Sequence, residues 1–99
     1  MGTILLEERI DVNGVPTDVT SVKLSNLAGT AGVIRNDTSA VVVADDTTMV
    51  SVETGVYQYS FTEPAAGLTY TYYIEWIYYN IEFHFMYSTK VSIKKLYIT

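Results

Sequence analysis

Apolar and polar residues alternate along much of this chain with a period of two, and the alternation is longest after Gly67. Leu68, Tyr70, Tyr72, Ile74, Trp76 and Tyr78 fall on one side, with Thr69, Thr71, Tyr73, Glu75, Ile77 and Tyr79 on the other. Successive side chains of an extended chain point to opposite faces, whereas a helix gathers one face about every 3.6 residues, so this run predicts a strand. Ile81, Phe83, Phe85 and Tyr87 then alternate with Glu82, His84, Met86 and Ser88, which predicts its hairpin partner. Asn80 is the predicted turn residue, because Asn tolerates left-handed backbone. Upstream, Tyr57, Tyr59 and Phe61 share one face of a run that Gly55 opens and residues 63–67 close.

The first half of the chain is punctuated more closely. Residues 3–11 form an apolar run that predicts a strand, and Asn13-Gly14 followed by Pro16 predicts a tight turn. Val22, Leu24 and Ala28 alternate with polar residues in a half-buried strand. Residues 31–35, 40–44 and 47–53 are further short extended runs, separated by Asn36-Asp37-Thr38-Ser39 and Asp45-Asp46. Val91 and Ile93 carry the apolar side toward the end. No stretch has capped helical periodicity. Short strands with a turn signal every ~8–12 residues predict an all-β fold, an antiparallel β-sandwich of about seven strands. At 99 residues the chain is read as one domain, residues 1–99, with one modest core and little room for a deep cleft.

Charge and cysteine content narrow the partners. A net charge of −5 disfavours phosphate backbones, so nucleic acid is not expected. Lys90, Lys94 and Lys95 are the main basic group and fit the charged blunting of an exposed edge strand. The chain has no cysteine, which excludes disulfides, thiolate zinc sites and thiol nucleophiles. The N-terminus does not read as a signal peptide, and no apolar run reaches the roughly 18 residues of a membrane helix, so membrane insertion is not expected.

Two stretches resemble known modules. Pro64-Ala65-Ala66-Gly67-Leu68-Thr69-Tyr70 is similar to the corner before the penultimate strand of immunoglobulin-like and fibronectin type III-like sandwiches, where a Tyr three residues after a Gly turns its hydroxyl back onto the loop. Pro64, Gly67 and Tyr70 are the corner residues. More widely, residues 11–25, the Gly55-Val56-Tyr57-Gln58-Tyr59-Ser60-Phe61 piece and residues 66–72 resemble small immunoglobulin-like modules of bacteriophage and prophage virion proteins. Asn80 departs from the glycine usual in the last hairpin, and that hairpin is unusually aromatic. The resemblance implies a structural or decorating role in particles, a virion-associated setting and no catalytic residues. Without it, the setting would be cytoplasmic or within a larger extracellular protein.

Candidate chemistry is sparse. His84 is the only histidine, on the face opposite the aromatic set; a catalytic imidazole needs a nucleophile and an orienting acid, whereas its same-face strand neighbours are Glu82 and Met86 and no serine sits in an elbow-type turn. It reads as a surface or sheet-packing residue. Asp11 with Asn13 opens like a calcium loop, but Val22 stands where the twelfth-position acid belongs, and Asp45-Asp46 reads as turn chemistry. No catalytic residue, metal site or cofactor is therefore expected. Tyr73, Ile77, Tyr79 and His84 form the expected interaction surface, since aromatic rings on a solvent-facing sheet bury against protein partners or stack on sugars. The leading expectation is a non-catalytic structural or interaction module with protein partners or self-association. A carbohydrate-binding module is the alternative, and a small enzyme ranks third.

Overall fold

A computed structural model describes residues 3–65, 67–88 and 94–98, the last five by the course of their backbone. The described residues form twelve extended segments and no helix. They are β1 (Thr3–Arg9), β2 (Asp11–Val12), β3 (Val15–Pro16), β4 (Ser21–Leu24), β5 (Val33–Arg35), β6 (Val41–Val43), β7 (Thr47–Thr48), β8 (Val50–Glu53), β9 (Val56–Thr62), β10 (Tyr70–Tyr78), β11 (Ile81–Ser88) and β12 (Lys94–Ile98).

All the pairings are antiparallel and sort into two sheets and a small hairpin. The smaller sheet runs β1-β9-β8, and the larger runs β12-β11-β10-β4-β7. β5 lies end to end with β4 along the same edge of β10, and β6 and β7 follow that course on the next row. Joining these collinear pieces, and setting aside the β2–β3 hairpin, brings the number of main runs close to the expected seven. The sandwich-like, all-β expectation holds at this level.

The period-two pattern sets the inner faces. Tyr70 and Ile74 are wholly buried, and half-buried Tyr72 and Trp76 pack beside them, so the even side of β10 faces the core. Leu6 of β1 and Ile10 just after it meet Val22, Leu24, Val33 and Phe85 from the other sheet. Fully burying one such aliphatic side chain stabilises the fold by ~1.5–3 kcal/mol. The predicted run over 47–53 divides at Met49, 3% exposed: Thr47 and Thr48 pair with β4, whereas Val50 and Ser51 pair with β9. One strand thus crosses between sheets, with Met49 filling the step.

Turn chemistry follows the sequence closely. Val12 and Val15 pair around Asn13 and Gly14, whose φ values are 53° and 79°. Tyr78 and Ile81 pair around Tyr79 and Asn80, at 50° and 62°. Positive φ at both central residues is the turn whose twist matches a hairpin's strands. At the predicted corner, Gly67 has a φ of +76°, and Tyr70 packs edge-on to Phe61 with ring centres 5.2 Å apart. The Tyr70 hydroxyl donates to Glu63 Oε1 at 3.4 Å, within the loop that precedes the strand. Pro64 is exposed. Lys94 and Lys95 lie on β12 at the edge of the larger sheet, while Lys90, Val91 and Ile93 lie outside the described residues.

Candidate functional site

The outward face of the larger sheet gathers most of the chain's unassigned chemistry. Register determines its members. Glu75 pairs with His84, Tyr73 with Met86 and Ile77 with Glu82 across β10–β11, and Lys23 and Ser21 of β4 stand opposite Glu75 and Ile77. Tyr73, Ile77 and His84 of the predicted surface therefore share one face. Tyr79 stands at the hairpin tip, 79% exposed.

Of the two roles expected for His84, surface contact and sheet packing, its burial fits the second. The residue is only 5% exposed, too inaccessible to serve as an exposed contact. Neither ring nitrogen has a hydrogen-bond partner. Nε2 lies 3.6 Å from Glu75 Oε2 and 3.4 Å from Glu82 Oε1, contacts whose geometry is not that of hydrogen bonds. Leaving a buried polar group unsatisfied costs about 1–3 kcal/mol. Lys23, although Glu75's neighbour across the ladder, is engaged elsewhere: its ammonium bridges Asp46 Oδ1 at 3.0 Å, and that bond pushes its pKa above the ordinary lysine range. Glu75 and Glu82 face the imidazole with no lysine or arginine bridging them among the residues whose side chains are described.

A loop covers one end of this face. Between β4 and β5 the chain leaves the sheet and returns beside the same residue: Ser25 N–H donates to Tyr73 O at 2.9 Å, and Tyr73 N–H donates to Gly32 O at 2.9 Å. The excursion is closed by Asn26, whose Oδ1 accepts from Thr30 N–H at 2.8 Å and whose N–H donates to Ala31 O at 2.9 Å. Its return requires glycine, since a Cβ on Gly32 would meet Leu24 Cβ at 2.8 Å and two backbone oxygens at 2.9 Å. A pocket of about 310 Å³ lies beneath the loop, lined mainly by Asn26, Leu27, Tyr73, His84 and Met86. Ala28, expected on a buried strand face, is exposed in this loop.

The hairpin tip forms a second feature. The Tyr78 and Tyr79 rings meet edge to face at 4.4 Å. With Asp18, Thr20 and Asn80 they border a groove of about 520 Å³. The acidic turns noted in the sequence have local roles instead. Asp45 Oδ1 accepts from the Ser25 hydroxyl at 2.7 Å, Asp46 holds Lys23, and exposed Asp11 opens the Asn13-Gly14 hairpin.

A third polar group is hidden between the sheets. Glu8 is 3% exposed on the inner side of β1. Trp76 Nε1–H donates to its Oε2 at 3.2 Å, and the Tyr87 hydroxyl donates to its Oε1. Tyr87 in turn stacks on Tyr72 at 4.9 Å. Burial, reinforced by the nearby Glu8 charge, pushes both tyrosine hydroxyls above the ordinary tyrosine range. The sequence signal for Glu8 was its place in the series Ile4, Leu6, Glu8, Ile10, a carboxylate on an apolar face. The signal for the His84 cluster was the hairpin itself, which sets Glu75 and His84 equally far from the turn.

No protein-family model, curated protein or solved structure matches this chain.

Proposed function

We propose that this protein is a non-catalytic interaction module of immunoglobulin-like type that docks protein partners, its own copies included, through the β10–β11 tip. The observation that carries this reading is Tyr79. A tyrosine at φ 50° sits in a conformation that costs L-residues ~1–2 kcal/mol, and 79% of it is exposed to water. Strain at an aromatic side chain that meets the neighbouring Tyr78 ring and is otherwise turned to water points to selection for contact. Ile81, 50% exposed beside it, extends the apolar surface.

The strand order supports the immunoglobulin-like part. A short sheet of β1, β9 and β8 faces one in which β10 lies between β11 and β4, and Tyr70 stands at the start of β10 after the Gly67 corner. The resemblance to virion modules supports a place in a particle or larger assembly. Solution mass by light scattering over a concentration series tests the docking reading. Self-association that disappears when Tyr79-Asn80 becomes Asn-Gly supports it. A monomer throughout the series that also retains no protein partner overturns it.

The tip groove favours a second reading, carbohydrate binding. Two tyrosine rings beside Asp18, Thr20 and Asn80 combine a stacking surface with hydrogen-bonding side chains. A glycan array separates the two, because sugar binding needs no self-association.

A further inference from the structure

We propose that Glu75, Glu82 and His84 form a binding site for a divalent first-row transition-metal ion, represented by zinc, on the outward face of the larger sheet. The three side chains each present one donor atom, and these atoms lie within 4.8 Å of one another. Nε2 of His84 stands 3.4 and 3.6 Å from the two carboxylate oxygens. A tetrahedral ion with bonds of about 2.0–2.1 Å holds neighbouring ligand atoms roughly 3.3–3.4 Å apart, so the two spacings from Nε2 already suit it, and side-chain rotation must bring the carboxylate oxygens, within 4.8 Å of each other, to that separation.

The second observation is independent of the acidic pair. The His84 side chain is 6% exposed, both of its nitrogens lack hydrogen-bond partners, and Nε2 lies within 3.6 Å of both carboxylates. A metal ion satisfies that nitrogen and neutralises the two acids in one step. The protonated imidazole is the competing occupant of the same charges, and the zinc titration below distinguishes the two.

The ladder preorganises the ligands. Glu75 and His84 are directly paired on neighbouring strands, and Glu82 is two residues before His84 on the same face. Glu82, with 53% of its side chain exposed, gives the ion a path from solvent. An imidazole nitrogen with two carboxylate oxygens suits zinc, cobalt or nickel, whereas calcium and magnesium take all-oxygen shells with more ligands. Solvent would supply the fourth ligand. The site is separate from the docking tip, so the Asn-Gly tip variant should bind zinc as the parent chain does.

The test uses the full chain without a polyhistidine tag, titrated with zinc chloride by calorimetry and with cobalt chloride by visible absorption. One equivalent of zinc, a raised thermal midpoint and the d–d bands of four-coordinate cobalt are expected. His84→Gln and Glu82→Gln should each weaken zinc binding by roughly tenfold or more. Glu82→Gln guards against misfolding as the cause, because its side chain is half in solvent and its circular dichroism should match the parent chain. Three results overturn the proposal: no saturable zinc uptake with an unmoved midpoint, which leaves a simple ion pair; equal zinc affinity in His84→Gln; or displacement of zinc by an equal concentration of calcium.

Discussion

Glu8 and His84 lie against opposite faces of the same aromatic hairpin, and water reaches 3% of one and 5% of the other. Between the sheets, the Glu8 carboxylate takes hydrogen bonds from Trp76 and Tyr87, so aromatic groups that already build the core also satisfy its oxygens. On the outward face, His84 has two acids in front of it and no hydrogen bond at either nitrogen. Equal burial therefore has different meanings. A satisfied polar group binds the two sheets together and fixes their relative position, whereas an unsatisfied one leaves hydrogen-bonding capacity open to water or an ion.

The strongest way to break the satisfied side is Trp76→Ala. It removes a ring stacked on Phe83 at 4.4 Å and also one of Glu8's donors. A loss of ~3–5 kcal/mol in urea unfolding is expected. A near-neutral result would mean that the cross-sheet contact contributes little. Tyr87→Phe is subtler, since the ring remains and only the hydroxyl goes. It should cost about 1–3 kcal/mol, because a buried carboxylate loses a hydrogen-bond donor. The same variant carries a pH signature. The Tyr87 hydroxyl is raised in the folded state, so folded protein holds that proton where an unfolded tyrosine, with a pKa of about 10, has released it. Stability from this source is complete below about pH 10 and falls as pH rises beyond it. Tyr87→Phe should flatten that alkaline decline, and an unchanged slope would assign it to other tyrosines.

The unsatisfied side should respond with the opposite sign. In metal-free buffer, His84→Leu replaces an orphaned imidazole with an apolar side chain, and stability should hold or rise by up to ~1 kcal/mol. A clear loss of stability would show that His84 is a structural group like Glu8. With zinc present, the parent chain should gain stability and His84→Leu should not.

These sites differ in how far the sequence discloses them. The alternation around Tyr70 to Tyr78 and the turn signals at Asn13-Gly14 and Asn80 locate the hairpins, because strand period and left-handed backbone are local properties. Once Tyr79-Asn80 is taken as a two-residue turn, Glu75 falls opposite His84 by counting alone. Glu8's donors lie 68 and 79 residues away, and no local pattern reports contacts across a sandwich. The same limit hides the step at Met49, since an alternating run looks the same whichever neighbour it pairs with. The excursion after β4 was hidden for a different reason. Leu27 and Ala28 read as a strand continuing, while the hydrogen bonds that flank Tyr73 show the sheet resuming at Gly32.

The smallest expected effect extends the comparison from side chains to backbone. Among the described residues, two two-residue turns have positive φ at both positions, one built from Asn13-Gly14 and the other from Tyr79-Asn80. The first pair suits that conformation, whereas the second places a tyrosine in it. Converting Tyr79-Asn80 to Asn-Gly should relieve the strain and raise stability by ~0.5–1 kcal/mol, read as a shifted urea midpoint at constant slope. The lost contact between the Tyr78 and Tyr79 rings opposes this gain, and a lowered midpoint would show that the contact outweighs the strain. The more informative outcome pairs a stability gain with loss of self-association. A residue whose removal improves the fold and abolishes contact between molecules is held at the tip by what it touches outside its own chain.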